Sequence, residues 1–147
     1  MAFDAFLKIE GIEGDSQSKS HPGHIEVESF SWGETNAGGP GKGTGAGAGK
    51  VQMQDFHFQM KTSKASPVLM TSCASGKHFS DATLSCRKAG GEQRDFLVVK
   101  MNDVLISSYT ISGSDGDDTP GDEVSLAFVK IDMVFVEQDD RGGVLGG

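Results

Sequence analysis

The chain of 147 residues predicts a mainly β fold packed around a single α-helix. Apolar and polar residues alternate at the strand period of two in most of the apolar segments. Only residues 63–76 carry apolar side chains at helical spacing. The chain has 21 glycines, and they gather between the alternating runs, as expected of turns that connect short strands.

Two strands are predicted in the first part of the chain. Alternation from Phe3 to Ile9 indicates a half-buried strand. A second strand covers residues 24–33, but its apolar residues change face midway. A β-bulge near Glu28 would restore a single buried face. A strand covered on both sides would explain the same pattern.

A glycine-rich segment follows this strand. Residues 35–49 read TNAGGPGKGTGAGAG, which supports neither a strand nor a helix. Glycine loses the most conformational freedom on ordering, so we expect a loop over residues 35–50 that stays mobile unless a partner fixes it.

The helix is predicted between two strands. Residues 51–62 place Phe56, Phe58 and Met60 on one face at period two. Ser63 and Ser66 are both candidate helix caps, and Gly76 suits the left-handed position after the last turn. The predicted apolar stripe of the helix consists of Leu69 and Cys73, with Met70 and Ala74 beside them.

The second half of the chain predicts a meander and one long strand. Strands are expected at residues 82–87, 96–101 and 104–111, joined by turns at Gly90-Gly91 and at Asn102-Asp103. Residues 123–137 then form a final strand with two largely apolar faces. One face of such a strand should meet water in a small antiparallel protein, so this strand indicates a subunit contact. The tail, residues 139–147, is short and rich in glycine.

Motifs for chemistry are absent from the sequence. Lys42 and Lys50 are each followed by a residue without the hydroxyl that a phosphate-binding loop requires. The acidic residues 115–123 have Pro120 where a calcium loop needs glycine, so a solvated loop is the better interpretation. Histidines and cysteines stand apart from metal-ligand spacing, and we expect Cys73 and Cys86 to be small buried apolar residues. The sequence therefore predicts no enzyme, no cofactor and no metal.

Charge and hydropathy limit the partners. A formal net charge of −8 argues against nucleic acid and anionic membranes, which attract basic faces. No apolar run approaches the roughly 20 residues of a membrane span. The N-terminus also lacks the pattern of a signal peptide, so we expect a cytoplasmic protein.

Four stretches of the chain carry a family resemblance. They are FLKIEGIEGDSQSKSHPGHIEVESFSWG (6–33), SPVLMTSCASGKHF (66–79), CRKAGGEQRDFLVVKMNDVLISSY (86–109) and EVSLAFVKIDMVFVEQD (123–139). These stretches resemble the Hcp family, the haemolysin-coregulated proteins of the type VI secretion system. The resemblance implies a single domain over residues 1–147. Its fold would be two packed antiparallel sheets forming a β-barrel with one flanking helix, as in phage tail-tube proteins.

The family resemblance also implies a function. Hcp proteins form hexameric rings that stack into the inner tube, contact the spike, sheath and baseplate, carry effectors in the lumen and are themselves exported. The departure of this chain is its short tail, which has no room for an appended enzymatic domain. A ligand- or calcium-binding β-sandwich and a small hydrolase remain as alternatives. Candidate ring-stacking residues are Gly38, Gly39, Lys42, Gly43, Gly45, Gly47 and Gly49; candidate subunit-interface residues are Phe128, Val134 and Val136; candidate lumen residues are Ser112 and Ser114.

Overall fold

The computed structural model describes residues 3–36, 50–89 and 94–136. These ranges contain ten β-strands and one α-helix. The elements are β1 (Phe3–Ile9), β2 (Ile25–Val27), β3 (Ser29–Ser31), β4 (Glu34–Asn36), β5 (Val51–Met53), β6 (Phe56–Lys61), α1 (Ala65–Ser75), β7 (His78–Lys88), β8 (Asp95–Ser112), β9 (Gly121–Ala127) and β10 (Lys130–Phe135).

Most strands belong to one antiparallel sheet. Its hydrogen-bonded order is β2-β1-β7-β8-β9-β6-β3, and β10 pairs with β8 beside this path. The strands β4 and β5 form a separate two-stranded ribbon. The predicted fold class, mainly β and antiparallel with one helix, is confirmed.

The two ends of the sheet are successive pieces of one run of chain. β2 pairs with β1 and β3 pairs with β6, and Glu28 separates them. The backbone N–H of Glu28 donates to the carbonyl oxygen of Gln59 at 2.8 Å. The partner strand therefore changes where the sequence predicts a bulge, and the apolar face changes with it. Because β2 and β3 follow each other along the chain, no ladder of hydrogen bonds joins these two end strands. The hydrogen-bonded sheet is therefore not closed into the continuous barrel that the resemblance implies.

The long strands lie elsewhere than predicted. Asn102 and Asp103 do not form a turn, because β8 runs unbroken through both residues for 18 positions. The predicted long strand 123–137 is instead divided into β9 and β10 around Phe128 and Val129. The two errors have one cause. β8 pairs with β10 up to Asn102 and with β9 from Leu105 onward, so a single strand spans two partners.

The core lies on one face of the sheet and under the helix. Phe56, Phe58 and Met60 are all buried, as their spacing predicts. Leu69 reaches this core from α1. The remaining core residues come from the inward faces of β1, β7, β8 and β9 and include Leu7, Ile9, Ala82, Leu84, Cys86, Val99, Met101, Val104, Ile106, Val124 and Leu126.

The helix begins and ends close to its predicted bounds. Ser63 Oγ accepts a hydrogen bond from the Ala65 N–H at 3.2 Å, although the N-cap position itself is Lys64. Gly76 has φ of 69°, the left-handed conformation expected after the last turn. The stripe was predicted wrongly in part, since Met70 and Ala74 are exposed. Ser66 and Ser72 are buried in their place, and a polar network described below explains the first of these.

No helix within the described ranges is both long enough and apolar enough to cross a bilayer.

Candidate assembly and channel surfaces

The strand β10 carries an apolar face that the other described elements leave largely uncovered. Its residues Ile131 and Met133 lie opposite Met101 and Val99 of β8. Directly opposed residues of an antiparallel pair point to the same face, and Val99 and Met101 are buried core residues. β10 therefore continues the core-facing side of the sheet beyond the region where other described elements pack.

The exposed fractions confirm that this face is open. Val129 is 70 % exposed, Met133 59 % and Phe135 66 %, while Val134 on the opposite face is 56 % exposed. β10 is also hydrogen-bonded along one edge only, to β8, among the described strands. An apolar face beside an unpaired strand edge is a surface to which another chain can bind.

The three interface candidates from the sequence meet different surroundings. Val134 is exposed on β10. Phe128 is half-buried and packs against Trp32 at a ring-centroid distance of 6.2 Å. Val136 is also half-buried, and its backbone N–H donates to the Phe96 carbonyl oxygen at 2.8 Å. The candidates chosen from the sequence do not include the more exposed Val129, Met133 and Phe135. Apolar residues at alternate positions of a strand indicate a face that packs on the core, so these three were not chosen for the interface.

Aromatic rings connect β10 to the core. Phe135 contacts Phe96 at a centroid distance of 6.3 Å, and Phe96 contacts Phe3 at 6.1 Å. Phe3 in turn lies 6.2 Å from Phe30, whose ring stacks on Phe56 at 5.9 Å. The β7–β8 pairing is irregular next to Phe96. An edge-to-face contact thus connects the end of β10 at Phe135 to this aromatic chain, although most of the Phe135 side chain stays exposed.

A flat polar face lies on β3, β6, β9 and β8. The strand registers place its side chains in two rows that cross all four strands. His57 Nδ1 lies 2.6 Å from Ser125 Oγ in the first row, and Gln59 Nε2 donates to Glu123 Oε1 at 2.9 Å in the second. The first row is Ser31, His57, Ser125 and Ser108, and the second is Ser29, Gln59, Glu123 and Thr110. A shallow groove of about 340 Å³ runs over these rows.

The lumen candidates lie at one end of this polar face. Ser112 follows Ser108 and Thr110 at alternate positions of β8, so it shares their side of the sheet. Its register partner is Gly121, which also pairs with Lys61. Ser114 lies in the adjoining loop, and its hydroxyl donates to Asp117 Oδ2 at 2.8 Å.

The helix lies on the other side of the same sheet. Buried Asp122 on β9 accepts hydrogen bonds from Ser66 Oγ at 2.5 Å and from Thr62 Oγ1 at 2.7 Å. Burial raises the pKa of the Tyr109 phenol, and a hydrogen bond with Asp122 raises it further. Since Asp122 precedes exposed Glu123, α1 and the polar face occupy opposite faces of β9.

A Ser–His–Asp arrangement appears on the loop before β2. His21 Nδ1 lies 2.9 Å from Ser20 Oγ, and His21 Nε2 lies 3.1 Å from Asp95 Oδ1. Arg87 Nη1 also donates to Ser20 Oγ at 2.8 Å, and the imidazole stacks on Phe6 at 4.5 Å. The buried imidazole of His21 therefore holds the loop before β2 in place over Phe6. Neither the polar-face groove nor the larger groove described next is lined by Ser20 or His21.

A larger groove of about 660 Å³ opens where β2 and β6 diverge. It begins beyond the Glu28–Gln59 hydrogen bond and is walled by the start of β1, by β2, and by the end of β6. Four carboxylates and two cations line it: Asp4, Asp15, Glu26, Glu28, Lys61 and Arg87.

Other candidate groups contribute little chemistry. Burial raises the pKa of the Cys86 thiol to about 11, which keeps it a neutral core residue. Cys73 is half-buried. Burial lowers the pKa of His24. In residues 3–36, 50–89 and 94–136, no three His, Cys, Asp or Glu side chains are grouped as metal ligands. The seven predicted stacking residues from Gly38 to Gly49 and the tail 139–147 lie outside the described residues.

These surfaces define a class of protein: a structural β protein that assembles with other chains. The family described as "Type VI secretion system effector, Hcp" matches residues 6–135. Protein hcp1 of Pseudomonas aeruginosa is 40 % identical over 148 residues, which cover 100 % of this chain and 91 % of the relative.

Solved structures give the same result. A structure described as a type six secretion system protein has a TM-score of 0.92 and 30 % identity, covering 99 % of this chain and 91 % of that one. Hcp1 from Salmonella typhimurium has a TM-score of 0.80 and 35 % identity, covering 99 % and 92 %. This chain belongs to the Hcp family, as the sequence resemblance implies. It is a tube subunit of the type VI secretion system.

Proposed function

We propose that this chain closes into a hexameric ring through β10, and that the rings stack into a hollow tube that carries effectors. The supporting observation is the uncovered face of Val129, Met133 and Phe135 beside the unpaired edge of β10. A contact between this face and a different surface of a second copy is head-to-tail. Such contacts either close into a ring or continue as a filament.

Replacing exposed apolar residues of β10 by aspartate tests the ring proposal. Val134→Asp and Met133→Asp should reduce the sedimenting particle from a ring to smaller species, because a carboxylate buried in an apolar contact remains unpaired. The matched control is Met70→Asp, which makes the same change as Met133→Asp at an exposed apolar residue of α1, away from β10. Circular dichroism should be unchanged in all three variants.

The outcome is read from sedimentation velocity at micromolar concentration, with negative-stain images of the same samples. A wild-type monomer under these conditions contradicts the ring. Equal loss of the ring in the Met70→Asp control contradicts the assignment of β10 while leaving the ring itself standing.

The polar face is proposed as the wall of the channel. Serine, threonine and glutamine side chains line it together with His57 and Glu123. These side chains offer hydrogen bonds without an apolar patch, which suits transient contact with passing proteins. Ser112 and Ser114 extend this wall toward the 113–120 loop. Because α1 lies on the other side of β9, the helix would face outward, where sheath and baseplate components approach. The spike protein would meet the end of the tube.

Reagent size tests which side faces the channel. In a Cys73→Ser background, Ser108→Cys should react with a small maleimide but slowly with a long polyethylene-glycol maleimide once rings form. The helix variant Thr71→Cys should react rapidly with both, because it lies on the outward face. Equal protection of both positions from the large reagent, or of neither, contradicts this arrangement.

The proposed role is transport, without a catalytic activity. The Ser20–His21–Asp95 arrangement holds the loop before β2 in place, since Ser20 Oγ already accepts a hydrogen bond from Arg87. The chain is proposed to leave the cell through the type VI apparatus as part of the tube, without binding a cofactor.

A further inference from the structure

We infer that Met133 is an oxidation site that controls ring assembly. Peroxides convert its thioether to the sulfoxide in the free subunit, and the oxidised subunit closes into a ring much less readily. The inference rests on the proposed ring contact through β10 and adds a reversible chemical modification to it. The modified atom is Met133 Sδ, and the reagent class is a two-electron oxidant such as hydrogen peroxide.

The methionines of this chain divide into an exposed and a buried group. All six except the first lie in the described ranges. Met60 and Met101 belong to the core and are 1 % and 0 % exposed. Met53, Met70 and Met133 are exposed, and Met133 has the largest exposed fraction of the three, 59 %. Because a thioether is oxidised where the reagent reaches it, Met133 is open to oxidation in a subunit that is not assembled.

The surroundings of Met133 are apolar. Ile131 and Phe135 flank it at alternate positions of β10, and Val99 lies directly opposite it on β8. The two charged residues of β10 occupy the intervening positions, so their side chains point to the opposite face of the strand. Met133 therefore lies in the middle of an apolar face, and no polar side chain of β10 can hydrogen-bond to a group introduced there.

Oxidation by peroxide changes the polarity of this side chain. The sulfur lone pair attacks one oxygen of hydrogen peroxide, an S–O bond forms, and the O–O bond breaks. The sulfur is oxidised by two electrons and the peroxide is reduced. The departing hydroxide takes the proton from the transferred hydroxyl, so the products are the sulfoxide and one water. The sulfoxide is polar and chiral, whereas the thioether is a flexible apolar group.

The sulfoxide acts against ring closure because the proposed contact is apolar. Burying a polar group without a hydrogen-bond partner costs free energy, so an oxidised subunit binds its neighbour more weakly. A ring that buries Met133 in turn keeps the oxidant away from it. The modification therefore acts on subunits before they assemble. Methionine sulfoxide reductases restore the thioether, which makes the change reversible.

Other oxidisable side chains can be separated from Met133. Cys86 is a buried core residue, and burial raises the pKa of its thiol to about 11, which keeps it out of the reactive thiolate form. Cys73 is half-buried on α1 and is replaced by serine in all proteins compared below. Met70 is the matched control, because it is 56 % exposed on α1, away from β10.

Timed oxidation tests whether the ring covers Met133. Rings of the Cys73→Ser protein, and subunits that also carry the ring-breaking change Val134→Asp, are exposed to dilute hydrogen peroxide. Peptide mass spectrometry follows each methionine. Met133 should oxidise about tenfold more slowly in rings than in subunits, because susceptibility follows exposure. Met70 should oxidise at the same rate in both. Equal rates for Met133 in rings and subunits overturn the inference.

Substitution tests whether polarity at this position controls the ring. Met133→Gln places an amide where the sulfoxide would lie and should raise the dissociation constant of the ring contact about tenfold, whereas Met70→Gln should not change it. Prolonged peroxide treatment should convert rings to smaller species, because each subunit that dissociates is oxidised. Met133→Leu keeps an apolar side chain of similar volume, so its rings should persist under peroxide relative to its own untreated sample. A methionine sulfoxide reductase should return the oxidised protein to rings.

Sedimentation velocity reads all of these outcomes. A full ring in Met133→Gln, or loss of Met133→Leu rings under peroxide as fast as in the Cys73→Ser protein, overturns the inference while the ring stands. Absence of rings before any oxidant is added, or intact rings in Val134→Asp, contradicts the proposed contact through β10 and overturns the inference with it.

Discussion

At the scale of single residues, Asp122 joins β9 to the start of α1 through Ser66 and Thr62. Its side chain is almost fully buried. A carboxyl group in such a place costs stability unless hydrogen bonds compensate for its lost hydration. The serine and threonine hydroxyls supply those bonds, which explains why the buried stripe of α1 contains Ser66 instead of an aliphatic residue.

Removing this acceptor should destabilise the subunit. Asp122→Ala removes the hydrogen-bond partner of the buried Ser66 hydroxyl and of the half-buried Thr62 and Tyr109 hydroxyls. It also opens a small cavity, so we expect the free energy of unfolding to fall by about 3 kcal/mol. Asp117→Ala is the control, because Asp117 makes a similar hydroxyl bond on an exposed loop. We expect that control to change the free energy by less than about 0.5 kcal/mol.

Urea unfolding followed by circular dichroism, at one fixed protein concentration, measures both changes. Fixing the concentration matters because assembly adds to apparent stability. A loss of equal size in both variants would mean that the network around Asp122 contributes no more than a surface hydrogen bond.

At the scale of elements, the sequence predicts the type of each segment better than its length. Alternation alone locates β1 and β6, and the serines with Gly76 locate α1, because these signals are local. The Asn102-Asp103 pair reads as a turn because both residues favour one. Here Asp103 does adopt a left-handed φ of 53°, yet β7 pairs with residues on either side of it and keeps β8 continuous. Pairing between distant strands overrides the local preference.

The residues of the candidate surfaces can be predicted from the sequence only where a local pattern marks them. The two apolar faces of residues 123–137 correctly indicate exposed apolar surface on β10. The sequence does not show that Phe128 and Val136 are half-buried, because their burial depends on Trp32 and Phe96 far away in the chain. The polar rows across β3, β6, β9 and β8 have no signal in any one strand. They arise only when the registers align four of them.

At the scale of the whole molecule, net charge would control how the proposed hexameric rings approach each other. Six copies at −8 each would carry about −48 formal charges. Such rings would repel each other along their faces. Long-range repulsion is screened by salt over a Debye length of about 10 Å at 0.1 M and about 3 Å at 1 M.

We therefore expect stacking to rise with ionic strength while the ring stays intact. The ring depends on the apolar face of β10, and salt does not weaken apolar burial. Light scattering across a sodium chloride series should increase, while the sedimentation of rings diluted until they no longer stack should not change. Stacking that falls steadily with salt would mean that attraction between charged groups, not apolar contact, holds successive rings together.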